Sequence, residues 1–297
     1  MSLYQKRQIQ GRVVSFKDKA IQLRLHYARL NAARLITARL NAARLNAARL
    51  NDERLKALNT RTTKKALLVG INYLGTSNAL AGCINDVNNV NAYLGSKGFT
   101  CQLITDYTVL KPTRDTILHA LTQLLVNAVA GDVLVFQYSG HGTYVRDTNR
   151  DEVDGYDEAM VCLDKRILDD ELKTLLVNHL KKGVTLFVLM DCCHSGTILD
   201  LKYQYDGVDK VNPKNLETAG KVYMISGCMD RQTSADAMIN KQAQGAMTWS
   251  LLNTLNINIT WRELLQSMRT LLKKSGYIQI PQLSTGTLED MNSIVFL

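Results

Sequence analysis

The chain has 297 residues, 46% hydrophobic and 21% charged, with a formal net charge of +9 at pH 7. These proportions are those of a folded globular protein, and no run of about 18 uncharged apolar residues is present to cross a bilayer. The cysteines at 83, 101, 162, 192, 193 and 228 show no CxxC spacing; this excludes a disulfide framework and a zinc ribbon, and a reducing, cytoplasmic setting without a secretory leader is expected.

The charge is uneven. Residues 1–65 hold 16 Lys and Arg against three Asp and Glu, whereas the remainder holds 20 against 24. Within this arm, residues 28–55 repeat a five-residue unit, as in Ala28-Arg29-Leu30 and Ala33-Arg34-Leu35. Ala, Leu and Arg favour helix, and neither Pro nor Gly interrupts. A five-residue period turns about 140° per unit on an α-helix, so the leucines spiral and form neither a buried face nor a heptad seam. Residues 1–63 are expected to be a basic, low-complexity, partly helical and solvated extension. Weak binding to nucleic acid or an anionic membrane is its functional alternative.

The globular part opens at Lys64-Lys65. The run Ala66–Ile71 reads as a buried strand, Asn85–Leu94 as a helix and Thr100–Thr105 as a second strand. Pro112 marks a helix start, and Ile117–Ala130 reads as a long apolar helix ended by Gly131. A strand over Asp132–Gln137 is followed by the polar stretch Arg146–Asp157, a short strand at Ala159–Leu163 and a helix over Asp169–Leu180 with acids in its first turn. The apolar run Val184–Met190 is another strand. Residues 202–220 read as an exposed linker. Beyond it come a strand at Lys221–Ser226, helices at Ala246–Leu255 and Trp261–Lys274, and short strands at Ile278–Leu283 and Ser293–Leu297. Strands alternating with helices imply an α/β sandwich around a mainly parallel sheet.

Two of the strands end in chemistry. The first runs into Tyr138-Ser139-Gly140-His141-Gly142, the second into Asp191-Cys192-Cys193-His194-Ser195-Gly196. In a parallel sheet the crevice beyond the carboxyl ends binds ligands, so a Cys and a His delivered there would share one site. Side chains at i and i+2 share a strand face, which puts Asp191 with Cys193, Ser139 with His141, and Cys192 in the core. Cys193 is then a nucleophile, favoured as a thiolate by the imidazole of His141, which also protonates the leaving amine. The N–H groups of Gly142 and Cys193 would stabilise an oxyanion. His194 faces away and reads as structural.

The two motifs resemble the paired signatures of the metacaspases, caspase-like cysteine peptidases, and the 52 residues from His141 to Cys193 are similar to the caspase interval of about 50. Further segments agree over about residues 64–297, among them Leu67–Tyr73, Gly82–Val87, Ser226–Cys228, Gln232–Asp236 and Gly245–Thr248. The resemblance implies a caspase-like three-layer α/β/α sandwich, with a large segment at 64–201, a linker at 202–220 and a small segment at 221–297, in a type I-like arrangement. It implies cleavage after Arg or Lys through an acidic pocket of Cys83, Asp86, Ser139 and Asp191, since a cationic side chain needs several acceptors. It implies activation by Ca²⁺ through Asp157, Asp169, Asp170 and Asp200, hard oxygen donors suited to that ion, together with self-processing, a monomeric state and a setting in programmed cell death. The rivals are a catalytically silent scaffold acting through its basic arm, and an Asp-specific enzyme whose pocket would need Arg in place of Asp191.

Overall fold

The computed structural model describes residues 19, 21–46, 49, 62–146, 156–192, 198–205, 209–227, 236–239 and 242–297. It divides into two units, Met1–Thr60 and Arg61–Leu297. In the first, residues 21–46 form helix α1 with every residue exposed, the leucines of the repeat included: Leu25, Leu30, Leu35, Leu40 and Leu45 all face solvent. Their spiral leaves no single face to bury.

The second unit is built on an eight-stranded sheet. Its elements are β1 (Lys64–Gly70), α2 (Cys83–Ser96), β2 (Thr100–Thr105), α3 (Arg114–Val126), β3 (Val133–Ser139), β4 (Gly142–Arg146), β5 (Tyr156–Val161), β6 (Arg166–Leu168), α4 (Asp169–His179), β7 (Thr185–Asp191), β8 (Tyr203–Tyr205), β9 (Asp209–Val211), β10 (Lys221–Ser226), β11 (Asp236–Ile239), β12 (Gln242–Gly245), α5 (Ala246–Thr254), α6 (Trp261–Lys274) and β13 (Gln282–Thr285). The sheet order is β2-β1-β3-β7-β10-β13-β8-β9. The pairs from β2 to β10 are parallel, and those of β13 and β8 are antiparallel. Alternation along the buried strands splits the core in two. Leu134, Phe136, Tyr138, Leu186, Val188, Met190 and Cys192 face one side with α3 and α4. Val135, Phe187 and Leu189 face the other with α2, α5 and α6. This is a three-layer α/β/α sandwich, as expected.

Three expectations need correction. The helix placed at Ile117–Ala130 is α3, which starts three residues earlier and stops at Val126. Its start is set by Thr113, whose side chain accepts the Thr116 N–H, so Pro112 precedes the cap. The stretch 202–220, read as a linker, contributes β8 and β9 to the sheet, because β13 returns antiparallel and pairs Ser284 with Gln204. The segment Ser293–Leu297 forms no strand and gives only an isolated bridge between Thr260 and Ile294. Among the described residues no helix is long and apolar enough to cross a membrane.

Candidate active site

Strands β3 and β7 are in register to their last residues, Ser139 beside Asp191, while Gly70 of β1 lies opposite Ser139. The motif segments therefore leave the sheet side by side at the carboxyl end. Cys192, the last described residue of its segment, is fully buried among the α3/α4-side apolar residues, and alternation carries Asp191 to the α2/α5 side. Cys193 and His194 lie outside the described residues.

The acidic residues meet at one point. Asp86 in α2 and Asp191 are both buried, and a Cβ on Gly245 would lie 2.2 Å from Asp191 Oδ2 and 2.6 Å from Asp86 Oδ2. Only glycine fits there. The Gly245 N–H donates to Asp86 Oδ1 at 2.9 Å, and Thr248 donates to Asp191 Oδ2 through its N–H at 2.9 Å and its hydroxyl at 2.8 Å. Cys83 and Ser139 are buried in the same region: the Cys83 carbonyl lies over Gly70, where a Cβ would be 2.6 Å from it. The structure thus gathers Cys83, Asp86, Ser139 and Asp191 under α2 and the start of α5. Ser139 accepts from Gln137 Nε2 at 3.3 Å.

Face-sharing does not extend from Ser139 to His141, because β3 stops at Ser139. His141 is held by other means. Its Nε2 is 2.7 Å from the Asn78 carbonyl, and since a carbonyl only accepts, Nε2 carries the proton and Nδ1 is the basic nitrogen. The His141 N–H donates to Tyr73 Oη at 2.8 Å, and the imidazole packs on the Tyr73 ring with centroids 4.6 Å apart. Tyr138 Oη donates to the His141 carbonyl at 2.8 Å. Burial pushes both phenols well above their ordinary range, so they stay protonated donors. Gly140 fits because a Cβ would be 2.7 Å from Tyr138 Oη and 2.9 Å from Tyr73 Oη. The loop carrying Asn78 is fastened in turn: Asp106 accepts from the N–H groups of Asn72 and Leu74 at 2.7 and 3.2 Å. Gly142 opens β4, opposite Met160 of β5.

Of the four remaining acids, Asp157 lies in β5, Asp169 and Asp170 open α4, and Asp200 precedes β8. Asp157 and Asp169 are buried. Asp169 accepts the N–H groups of Glu158 and Asp170 at 3.0 and 2.8 Å. Burial pushes its carboxyl up, hydrogen bonds from Glu158 and Asp170 oppose this, and the Asp200 carboxylate adds to the rise. Asp200 itself accepts from Lys173 Nζ at 3.1 Å. Among the described residues no three His, Cys, Asp or Glu side chains already converge as a metal centre.

No local sequence signal marks Tyr73, Asn78, Tyr138, Gly140, Gly245 and Thr248 for these roles; Leu67–Tyr73 and Gly245–Thr248 stand out in the sequence only as segments of resemblance.

A doubly covered, mainly parallel α/β sheet that delivers a histidine loop and a cysteine segment to adjacent strand ends, over paired buried carboxylates, defines a caspase-like cysteine peptidase. A sequence model of the metacaspase peptidase C14 domain matches residues 64–202. The chain is 36% identical over 296 residues to Metacaspase-1 of Meyerozyma guilliermondii, covering 79% of this chain and 72% of that protein. It is 37% identical over 297 residues to Metacaspase-1 of Scheffersomyces stipitis, covering 79% and 73%. A crystal structure of a Geobacter sulfurreducens protein superposes with a TM-score of 0.60 at 25% identity, covering 78% of this chain and 99% of that one. The chain belongs to the metacaspase family, and it is a cysteine endopeptidase.

Proposed function

We propose that this peptidase cleaves after Arg or Lys through a Cys193–His141 dyad. The observation that supports the specificity is the convergence of Asp86 and Asp191 on Gly245: two buried carboxylates aimed at one point make a strongly anionic pocket, which favours a guanidinium or ammonium side chain. A pocket so charged rejects an Asp side chain. His141, with its proton on Nε2, takes the Cys193 thiol proton at Nδ1. The thiolate attacks the scissile carbonyl carbon, and its oxygen gathers charge against the Gly142 and Cys193 N–H groups. His141 then protonates the leaving amine, and water hydrolyses the thioester.

Calcium activation belongs to the same proposal. Asp157, Asp169, Asp170 and Asp200 would hold the ion, and the donor set fits it: all are hard oxygens, and Asp169 is a buried carboxylate raised in pKa partly by Asp200. The ion would supply neutralising charge to a cluster in which Lys173 pairs with Asp200. Exposed Arg–Leu bonds of the arm, as at Arg29–Leu30 and Arg34–Leu35, are the self-processing sites.

The test is turnover of fluorogenic Arg-, Lys- and Asp-terminated peptides by wild type, Cys193→Ala and His141→Ala, in calcium and in chelator, alongside calorimetric calcium titration. Arg and Lys cleavage abolished by either substitution is expected, with none after Asp. Folded, reduced, calcium-loaded protein that cleaves none of them, but binds polyanion in a salt-dependent manner, would favour the scaffold reading instead.

A further inference from the structure

Helix α5 begins without a cap of its own. Gly245 at its N-cap offers no side-chain acceptor, and its first turn, Ala246-Met247-Thr248, contains no acidic residue. The opening N–H groups of a helix need acceptors and favour negative charge. Here those acceptors come from two other elements: Asp86 takes the Gly245 N–H and Asp191 takes the Thr248 N–H. The Thr248 hydroxyl adds a third bond, to the same Asp191 oxygen. Thr248 and both carboxylates are buried, so these bonds form in a low dielectric where they count for more than at a surface.

We infer that the β12–α5 junction is the clamp that sets the two pocket carboxylates for a cationic side chain, with Thr248 as the positioning residue for Asp191 and Gly245 as the gap that lets both acids approach. The inference rests on the Arg/Lys reading above and extends it to residues of the C-terminal part of the chain. Asp86 and Asp191 lie before residue 192, and the groups that orient them lie after residue 244. The pocket is complete only when α5 is docked.

Two donors on one carboxylate oxygen fix its plane and favour its ionised form. Thr248→Val keeps the shape and the backbone N–H but removes the hydroxyl bond; Thr248→Ser keeps both bonds. With each enzyme normalised by active-site titration, Thr248→Val should raise KM for Arg and Lys peptides about tenfold with kcat little changed. The acid limb of its kcat/KM profile should move upward by about one pH unit, because a carboxylate that loses a donor protonates more readily. Thr248→Ser should restore both values. A Thr248→Val enzyme with wild-type KM and an unmoved acid limb, or one that loses only kcat, overturns the clamp while leaving the specificity standing. A wild type that does not cleave Arg or Lys peptides overturns both. A merely structural threonine would lower the titratable fraction and leave the pH limb in place.

Discussion

His141 and Asn78, 63 residues apart in sequence, meet through the imidazole Nε2 and a backbone carbonyl at 2.7 Å. The contact fixes the ring's tautomer, and among the described residues the orienting group of this histidine is a loop carbonyl and not a carboxylate. The loop's shape is itself held: Thr76 Oγ1 donates to the Tyr73 carbonyl at 2.8 Å and accepts the Asn78 N–H at 3.2 Å. Tyr73, at φ 50°, turns the chain into it.

Tyr73→Phe tests that arrangement. It deletes the oxygen that accepts the His141 N–H and that donates to the Val161 carbonyl at 2.7 Å, leaving a half-buried N–H to find a new partner. Stability should fall by about 1–3 kcal/mol. Turnover should fall about tenfold to a hundredfold through misplacement of the imidazole, with KM nearly unchanged. Thermal melts and Michaelis curves on one preparation check both; unchanged kcat would mean that the ring stack alone positions His141.

The two adjacent cysteines should separate cleanly. Cys192 is fully buried on the α3/α4 side of the sheet, where it acts as a small apolar residue. Cys192→Ala should cost about 1 kcal/mol of stability and retain peptide turnover and thiol-directed labelling of the active site. Loss of labelling in Cys192→Ala, measured by mass spectrometry with a peptidyl alkylating agent, would move the nucleophile to Cys192.

Gly140 is constrained by contact and not by a left-handed backbone. A methyl group there would sit 2.7 Å from Tyr138 Oη and 2.9 Å from Tyr73 Oη, and both phenols are held at Val161, whose carbonyl accepts from Tyr73 Oη at 2.7 Å and whose N–H donates to Tyr138 Oη at 3.2 Å. Neither can retreat without losing a buried bond. Gly140→Ala should destabilise the protein by about 1–3 kcal/mol and depress kcat more than Tyr73→Phe does, since it disturbs both tyrosines beside His141. Comparing the two variants' denaturant midpoints and rates is the check.

What could be read from the sequence follows from how local each signal is. The strands ending at Ser139 and Asp191 were visible because β-branched apolar runs bounded by polar and Gly residues need no partner to be recognised. Helix α6 was legible at Trp261–Lys274, and the structure adds the Thr260–Glu263 capping box that starts it. The short strands β8 and β9 were hidden because Tyr203–Tyr205 and Asp209–Val211 are brief and polar, and become strands only when β13 arrives from 80 residues downstream. The same distance effect governs the site. Strand alternation put Asp191 beside Cys193, but Asp86 joined it through family resemblance alone, and nothing local to Thr248 announces a hydroxyl bonded to a carboxylate 57 residues away. Periodicity failed at His141 for a different reason: the strand whose alternation was extrapolated had already ended.

The cluster around Asp169 makes a pH-dependent statement about the calcium-free protein. Burial and then the Asp200 carboxylate raise the Asp169 pKa in the folded state, so the folded protein holds this proton more tightly than the unfolded chain does. Stability contributed by such a group is present at low pH and is lost as pH rises from the ordinary carboxylate value of about 3.9 through the raised one. Asp200→Asn removes the repulsive charge but keeps an oxygen for Lys173, which now donates to Asp200 Oδ2 at 3.1 Å. In chelator, its melting temperature should therefore decline less steeply above about pH 4 than that of wild type. If the proposed calcium site forms, wild type should gain stability at neutral pH in saturating calcium, and Asp200→Asn should gain less, having lost one of the proposed charged ligands. Melting curves across pH with and without calcium read both effects. Identical slopes for the two proteins in chelator would show that Asp200 does not act on Asp169, and an equal calcium response would remove Asp200 from the ligand set.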